Sequence, residues 1–169
     1  MQKNRRRFFL AAAILWMAVI FLFSSRDGDS STVDSYRAGE IIGEVFVEGY
    51  RDWTPGRKLA FLEEIDHVVR KTAHFSEYAL LAMLFFGALL PSLSQRSRFR
   101  HYGLSWLFTA LYAMTDELHQ LFVSERSGSL KDVGIDSLGA AAGLAAAFLL
   151  CLLLETAASR KQREGSTHC

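Results

Sequence analysis

Four stretches of this chain contain no Asp, Glu, Lys or Arg: Phe8 to Ser25, Tyr78 to Gln95, His101 to Thr115 and Ser137 to Leu154. A helix needs about 20 mostly apolar residues to cross a bilayer, and these stretches reach that length or fall a little short of it. Charge bounds every one of them. The pattern predicts an all-α protein, a four-helix transmembrane bundle with a helical extracytoplasmic connection between spans 1 and 2. Composition agrees, because 169 residues that are 50% hydrophobic are too apolar for an ordinary soluble domain of this size.

The first stretch follows MQKNRRR, so a cleaved signal peptide is the rival reading. Its apolar run is long for that role, and FLFSSRDG lacks the small-x-small cleavage pattern, which favours an uncleaved anchor. Cys151 lies inside the fourth run and Cys169 ends the sequence. Neither placement suggests a disulfide framework or a thiolate metal site.

Basic residues concentrate in three places: Lys3 to Arg7, Arg96 to Arg100, and Arg160 to Arg163. Only Glu155 and Glu164 oppose them there, and nearly all other acidic residues fall in the remaining connections. Basic segments stay on the cytoplasmic side, so both termini are expected in the cytoplasm. The asymmetry gives no reason to expect a nucleic-acid partner. The expected organisation is a single membrane domain over 1–169, with spans at about 8–25, 72–92, 101–122 and 132–154 and an outer connection at about 26–70.

Two helices are expected in that connection. Ile41, Ile42, Val45 and Phe46 repeat at one-turn spacing, as do Leu59, Leu62, Ile65 and Val69, with Thr54-Pro55-Gly56 as the turn between them. They would lie on the outer membrane face or cap the bundle. The third apolar run is short, about 22 Å as a helix against a hydrocarbon core of about 30 Å. To span, it must carry Asp116 to Gln120 into the bilayer. The second run has a similar need, because Pro91 shortens its inner end and draws His74, Glu77 and Tyr78 into the outer leaflet.

Residues three and four apart share a helix face. Lys71, His74 and Tyr78 therefore line one face, Asp116, His119 and Gln120 another, and Asp132, Asp136, Gly139 and Gly143 a third, with Arg126 and Lys131 in the short connection. Charges facing lipid are costly, so these faces should turn inward and form one outward-opening polar pocket. The glycines read as close-packing positions. The carboxylates and histidines could bind a metal, relay protons, or supply acid–base catalysis through Glu117, His119 or Asp116. A plain salt-bridge network would use the same residues. No metal or cofactor is identified. Lys71, His74, Tyr78, Gln120, Arg126, Asp132 and Asp136 are the candidate binding residues, with Arg126, Lys71 and Lys131 a basic rim suited to an anionic head group or a pyrophosphate. The rival for Arg126 is pairing with Glu125, Asp132 or Asp136. Ser129 reads as a helix cap.

RKTAHFSEYALLA followed by DELHQLFVSERSGSLKDVGIDSLGAAAG resembles the VanZ-like family, four-span bacterial membrane proteins linked to resistance to the glycopeptide teicoplanin. The positions that carry the resemblance are Lys71, His74, Tyr78, Asp116, Glu117, Gln120, Arg126, Asp132, Asp136, Gly139 and Gly143. Val123-Ser124-Glu125 departs from the family's frequent Pro or Gly before the Arg, and Asp136 stands where Asn is frequent. The resemblance implies a cell-envelope role near cell-wall precursors or antibiotic access. Expected partners are membrane lipids, with a lipid-linked cell-wall precursor or a glycopeptide as further ligands. The expected activity is binding of an anionic envelope lipid; the alternatives are a hydrolase or transferase acting on that lipid, and a proton-coupled transporter.

Overall fold

A computed structural model describes residues 2–89 and 95–166, and it contains no strand among them. Five helices follow one another: α1 Gln2–Ser24, α2 Gly28–Phe46, α3 Pro55–Leu89, α4 Gln95–Gln120 and α5 Leu130–Ser166, with a 3-10 turn at Tyr50–Asp52 between α2 and α3. The all-α expectation holds. The segments in α1, α3 and α5 that are long and apolar enough to cross a membrane are Lys3–Ser24, Pro55–Leu89 and Leu130–Ala157. Helix α4 is not among them, which is fewer than the four expected. Arg96, Arg98 and Arg100 occupy its first turns and Asp116 and Glu117 its last, so only the short run between them is free of charge. The shortening assigned to Pro91 falls outside the described residues, as does Cys169.

Helix α3 is the hub, packing against α1, α2, α4 and α5. Specific contacts fix the helix directions. Phe9 of α1 lies against Gly87 near the end of α3, and the Trp16 indole donates to the Glu77 carbonyl at 2.9 Å. Tyr102 stacks on Phe86 at 4.2 Å and meets Phe148 edge-on at 6.0 Å. At the opposite end Gln120 Nε2 donates to Ser24 Oγ at 2.9 Å. The start of α1, the ends of α3 and α5 and the start of α4 therefore share one end of the molecule. The α1–α2 and α4–α5 connections share the other. Side chains such as Ile14, Leu22, Leu149 and Leu153 stay largely exposed, as a lipid-facing surface requires.

Where α3 crosses α5 the backbones almost touch. A Cβ at Gly139 would sit 2.2 Å from the Phe75 carbonyl oxygen, and one at Gly143 2.2 Å from that of Ala79. Only glycine permits the approach, as its spacing on one helix face suggested.

The outer connection differs from expectation in one respect. Its second helix and the second span are a single helix, because nothing between Arg57 and Leu89 breaks the i to i−4 ladder. At 35 residues α3 is about 52 Å long, well beyond a hydrocarbon core of about 30 Å. Its first turns pair antiparallel with α2, where Gly39 seats Leu62, Gly43 seats the Tyr50 ring, and Ser35 bonds Asp66. Helix α2 begins at an N-cap, Asp27 accepting from the Ser30 N–H at 2.7 Å. The Ser30 hydrogen bonds hold that carboxyl below its ordinary pKa. At the far tip Tyr50, Trp53 and Phe61 cluster, with the Arg57 guanidinium 3.7 Å above the Trp53 ring.

Candidate functional site

The loop between α4 and α5 organises the polar end of the molecule. Glu125 adopts a left-handed conformation, φ 60°, and the chain reverses there so that Arg126 points back to α1. Arg126 Nε donates to the Arg26 carbonyl at 3.1 Å and Nη2 to the Phe23 carbonyl at 3.3 Å, and Nη2 also bonds the Ser31 hydroxyl. The Phe23 carbonyl is among those that end α1, where the helix dipole favours a cation, and the Arg26 carbonyl follows two residues beyond the helix. Burial, with the Arg70 charge nearby, pushes the Arg126 pKa below its ordinary value. Neither reading made for Arg126 from the sequence named backbone carbonyls as its partners.

Two further residues fasten this end. Glu117 Oε2 accepts from the Ser129 N–H at 2.8 Å, and Ser129 Oγ accepts from the Lys131 N–H at 3.1 Å. Ser129 is thus the N-cap of α5, as expected, and Glu117 ties that cap to α4. His119 Nε2 lies 3.1 Å from Ser25 Oγ, its ring 4.6 Å from that of Phe21, while Ser25 Oγ also donates to the Phe21 carbonyl. The pairing of Ser25 with His119 had no sequence signal, because 94 residues separate them.

Beneath this layer lies a buried carboxylate core. Asp136 is 1% exposed and Asp116 3%, and Tyr78 is fully buried. Gln120 Nε2 donates to Asp116 Oδ2 at 3.3 Å, and Lys71 forms an ion pair with Asp132. His74 Nδ1 stands 4.0 Å from Asp136 Oδ1. Among the described residues neither Asp136 oxygen has a hydrogen-bond partner, while the buried Tyr78 hydroxyl faces Asp116. A buried carboxylate without a partner is costly, which makes Asp136 the least compensated group of this core.

Beside the core, under the α2–α3 hairpin, a cavity of about 180 Å³ opens between the end of α1, α2, α3 and the α4–α5 loop. Its walls include Arg26, Asp34, Arg70, His74, Glu77 and Arg126. Arg26 is paired with Asp34, and Arg70 Nη2 with Asp66 at 2.6 Å. A wider groove of about 520 Å³ runs between α4 and α5, but it is lined mainly by residues such as Met114, Leu118, Leu121, Leu130 and Val133. Its walls are hydrocarbon, and the Glu117 carboxylate at its edge is already engaged by Ser129.

The single pocket expected from the sequence is divided in two. Of the candidate binding residues, His74 and Arg126 line the open cavity, whereas Tyr78 and Asp136 lie in the buried core with Gln120, and Lys71 is spent on Asp132. The candidate catalytic trio is dispersed: Glu117 holds the α5 cap, His119 meets Ser25, and Asp116 belongs to the core. Among the described residues no group of three or more His, Cys, Asp or Glu side chains is placed to hold a metal ion. Shared helix faces brought these residues to one end, but they point to different neighbours. Arg26 and Arg70 were missed. Each sits beside an apolar run, where a cation next to a polar face was the available signal.

Comparison with curated proteins and with solved structures finds no match. The VanZ/LLP1 family model matches residues 9–153, which takes in most of α1, all of α2 to α4, most of α5 and every polar residue of this site. With span-length apolar helices and a family match over most of its length, the chain is a membrane protein and belongs to the VanZ/LLP1 family.

Proposed function

We propose that this VanZ-like protein crosses the bacterial inner membrane four times with both termini in the cytoplasm, and that its arginine-lined cavity binds the phosphate-bearing head of an envelope lipid or lipid-linked cell-wall intermediate. Through that binding it influences susceptibility to glycopeptide antibiotics such as teicoplanin. The observation that carries the reading is the convergence of Arg26, Arg70 and Arg126 on one cavity beside helices whose outer surfaces suit lipid. Guanidinium groups match phosphate oxygens in pairs. Arg126 uses Nε and Nη2 for the protein, which leaves Nη1 for a ligand. The apolar groove between α4 and α5 supplies a hydrocarbon surface of the kind an acyl chain would follow.

Native mass spectrometry of the detergent-purified protein tests this. Wild type should retain a phosphate-bearing lipid, and Arg126→Ala should lose it together with the antibiotic phenotype. Because Arg126 also caps α1, Arg70→Gln is the companion variant: it should weaken lipid retention about tenfold while unfolding at the wild-type temperature. Full retention in both variants sinks the proposal.

A second reading has its own support. The Asp136 carboxyl, without a hydrogen-bond partner and beside Asp116, Tyr78 and His74, suits a site that takes up and releases protons, as a proton-coupled transporter would need.

A further inference from the structure

The cavity wall carries opposite charges, and they are not equally engaged. Its cations are Arg26, Arg70 and Arg126, and its carboxylates are Asp34 and Glu77. Asp34 is held by Arg26 and, at 3.9 Å, by Arg37. Among the described residues no ion pair or hydrogen bond holds the Glu77 carboxylate, which is half-buried on α3 and lines the same cavity as Arg126. Its backbone is fixed, since the Glu77 carbonyl accepts from Trp16. A pure anion lodged against the arginines would share a cavity of about 180 Å³ with this carboxylate, and like charges in one small cavity repel. A head group with a cation beyond its phosphate would meet both walls at once.

We infer that the ligand is zwitterionic, an envelope lipid whose head joins a phosphate to an ammonium as phosphatidylethanolamine does, with Arg126 and Arg70 on the phosphate and Glu77 on the ammonium. This rests on the lipid reading above and adds the chemical class of the head. An ammonium has three donors and no acceptor, so a lone carboxylate is its natural seat. A half-open cavity at the level where α1 ends is also where a lipid head would lie if α1 spans the bilayer.

Delipidated full-length protein is titrated with phosphatidylethanolamine and with phosphatidylglycerol of the same acyl chains, both followed by native mass spectrometry. Wild type should prefer the ethanolamine lipid about tenfold. Glu77→Gln should bind both lipids equally, with an unchanged melting temperature, and Arg70→Gln should weaken both. If wild type shows no preference, or Glu77→Gln keeps it, the zwitterionic assignment falls and the phosphate-head reading stands. If neither lipid binds, or Arg70→Gln binds both as wild type does, the underlying reading falls too. Soluble O-phosphoethanolamine is the remaining arm, expected to bind at least a hundredfold more weakly than the lipid. Equal binding would assign the cavity to a free solute and overturn the lipid.

Discussion

Asp136 brings the polar core down to a single side chain. It is 1% exposed, neither oxygen has a hydrogen-bond partner, and the nearest basic group, His74 Nδ1, is 4.0 Å away. Lys71 is no help, since it pairs with Asp132 one turn earlier on α5. A carboxylate kept for stability would be satisfied, as Glu117 is by the Ser129 N–H. Asp136→Asn should change the thermal stability of the detergent-solubilised protein by less than about 1 kcal/mol, because the near-isosteric amide replaces a carboxyl that no hydrogen bond holds. The antibiotic phenotype should nevertheless be lost. A drop in stability matching the loss of phenotype would make Asp136 a structural residue after all.

Among the elements, the α3–α5 contact is the one that glycine dictates. A methyl group at Gly143 would meet the Ala79 carbonyl at 2.2 Å, so the helices must move apart, whereas the same addition at Gly134 meets nothing within 4 Å. Gly143→Ala should therefore cost about 1 to 3 kcal/mol, and Gly134→Ala should gain up to about 1 kcal/mol from helix propensity alone. Thermal unfolding of the two variants side by side checks the sign of each. This contact was legible in the sequence because Gly139 and Gly143 stand one turn apart on the stripe that also holds Asp132 and Asp136. Other features were legible only as faces. Periodicity says that Lys71, His74 and Tyr78 share a side of α3; it does not say that Lys71 reaches α5 while His74 borders a cavity under α2. The hairpin shows the same limit. The apolar repeats that predicted its helices were correct, but no local signal marks a boundary at Lys71, so the outer helix and the span merged into α3. Arg126 was legible as a candidate cation of the polar end, and its bonds to the Phe23 and Arg26 carbonyls were not, since backbone partners have no residue type to recognise.

For the whole molecule, everything turns on whether α4 crosses. Three crossings would leave the chain ends on opposite sides of the membrane and place the Arg160 to Arg163 tail outside, against the tendency of basic segments to stay in the cytoplasm. The contacts at the two ends of α4 favour four. It begins where Tyr102 stacks on Phe86 and ends where Gln120 bonds Ser24, so it covers the same interval as α1, and its 26 residues reach about 39 Å. Its polar outer turns need not meet lipid, because Asp116, Glu117 and Gln120 are all buried among neighbouring helices. Composition alone therefore understates what α4 can do. Thiol labelling decides the parity. With Cys151 replaced by Ala, a membrane-impermeant maleimide added to spheroplasts should leave Cys169 unmodified until the membrane is permeabilised. A cysteine introduced at the exposed Ser127 should react at once. Labelling of Cys169 from outside would make the number of crossings odd. Protection of Ser127→Cys would put the α4–α5 loop in the cytoplasm, and the arginine-lined cavity, which shares that end through Arg126, would then face the inner leaflet and lose its access to outer-leaflet lipid.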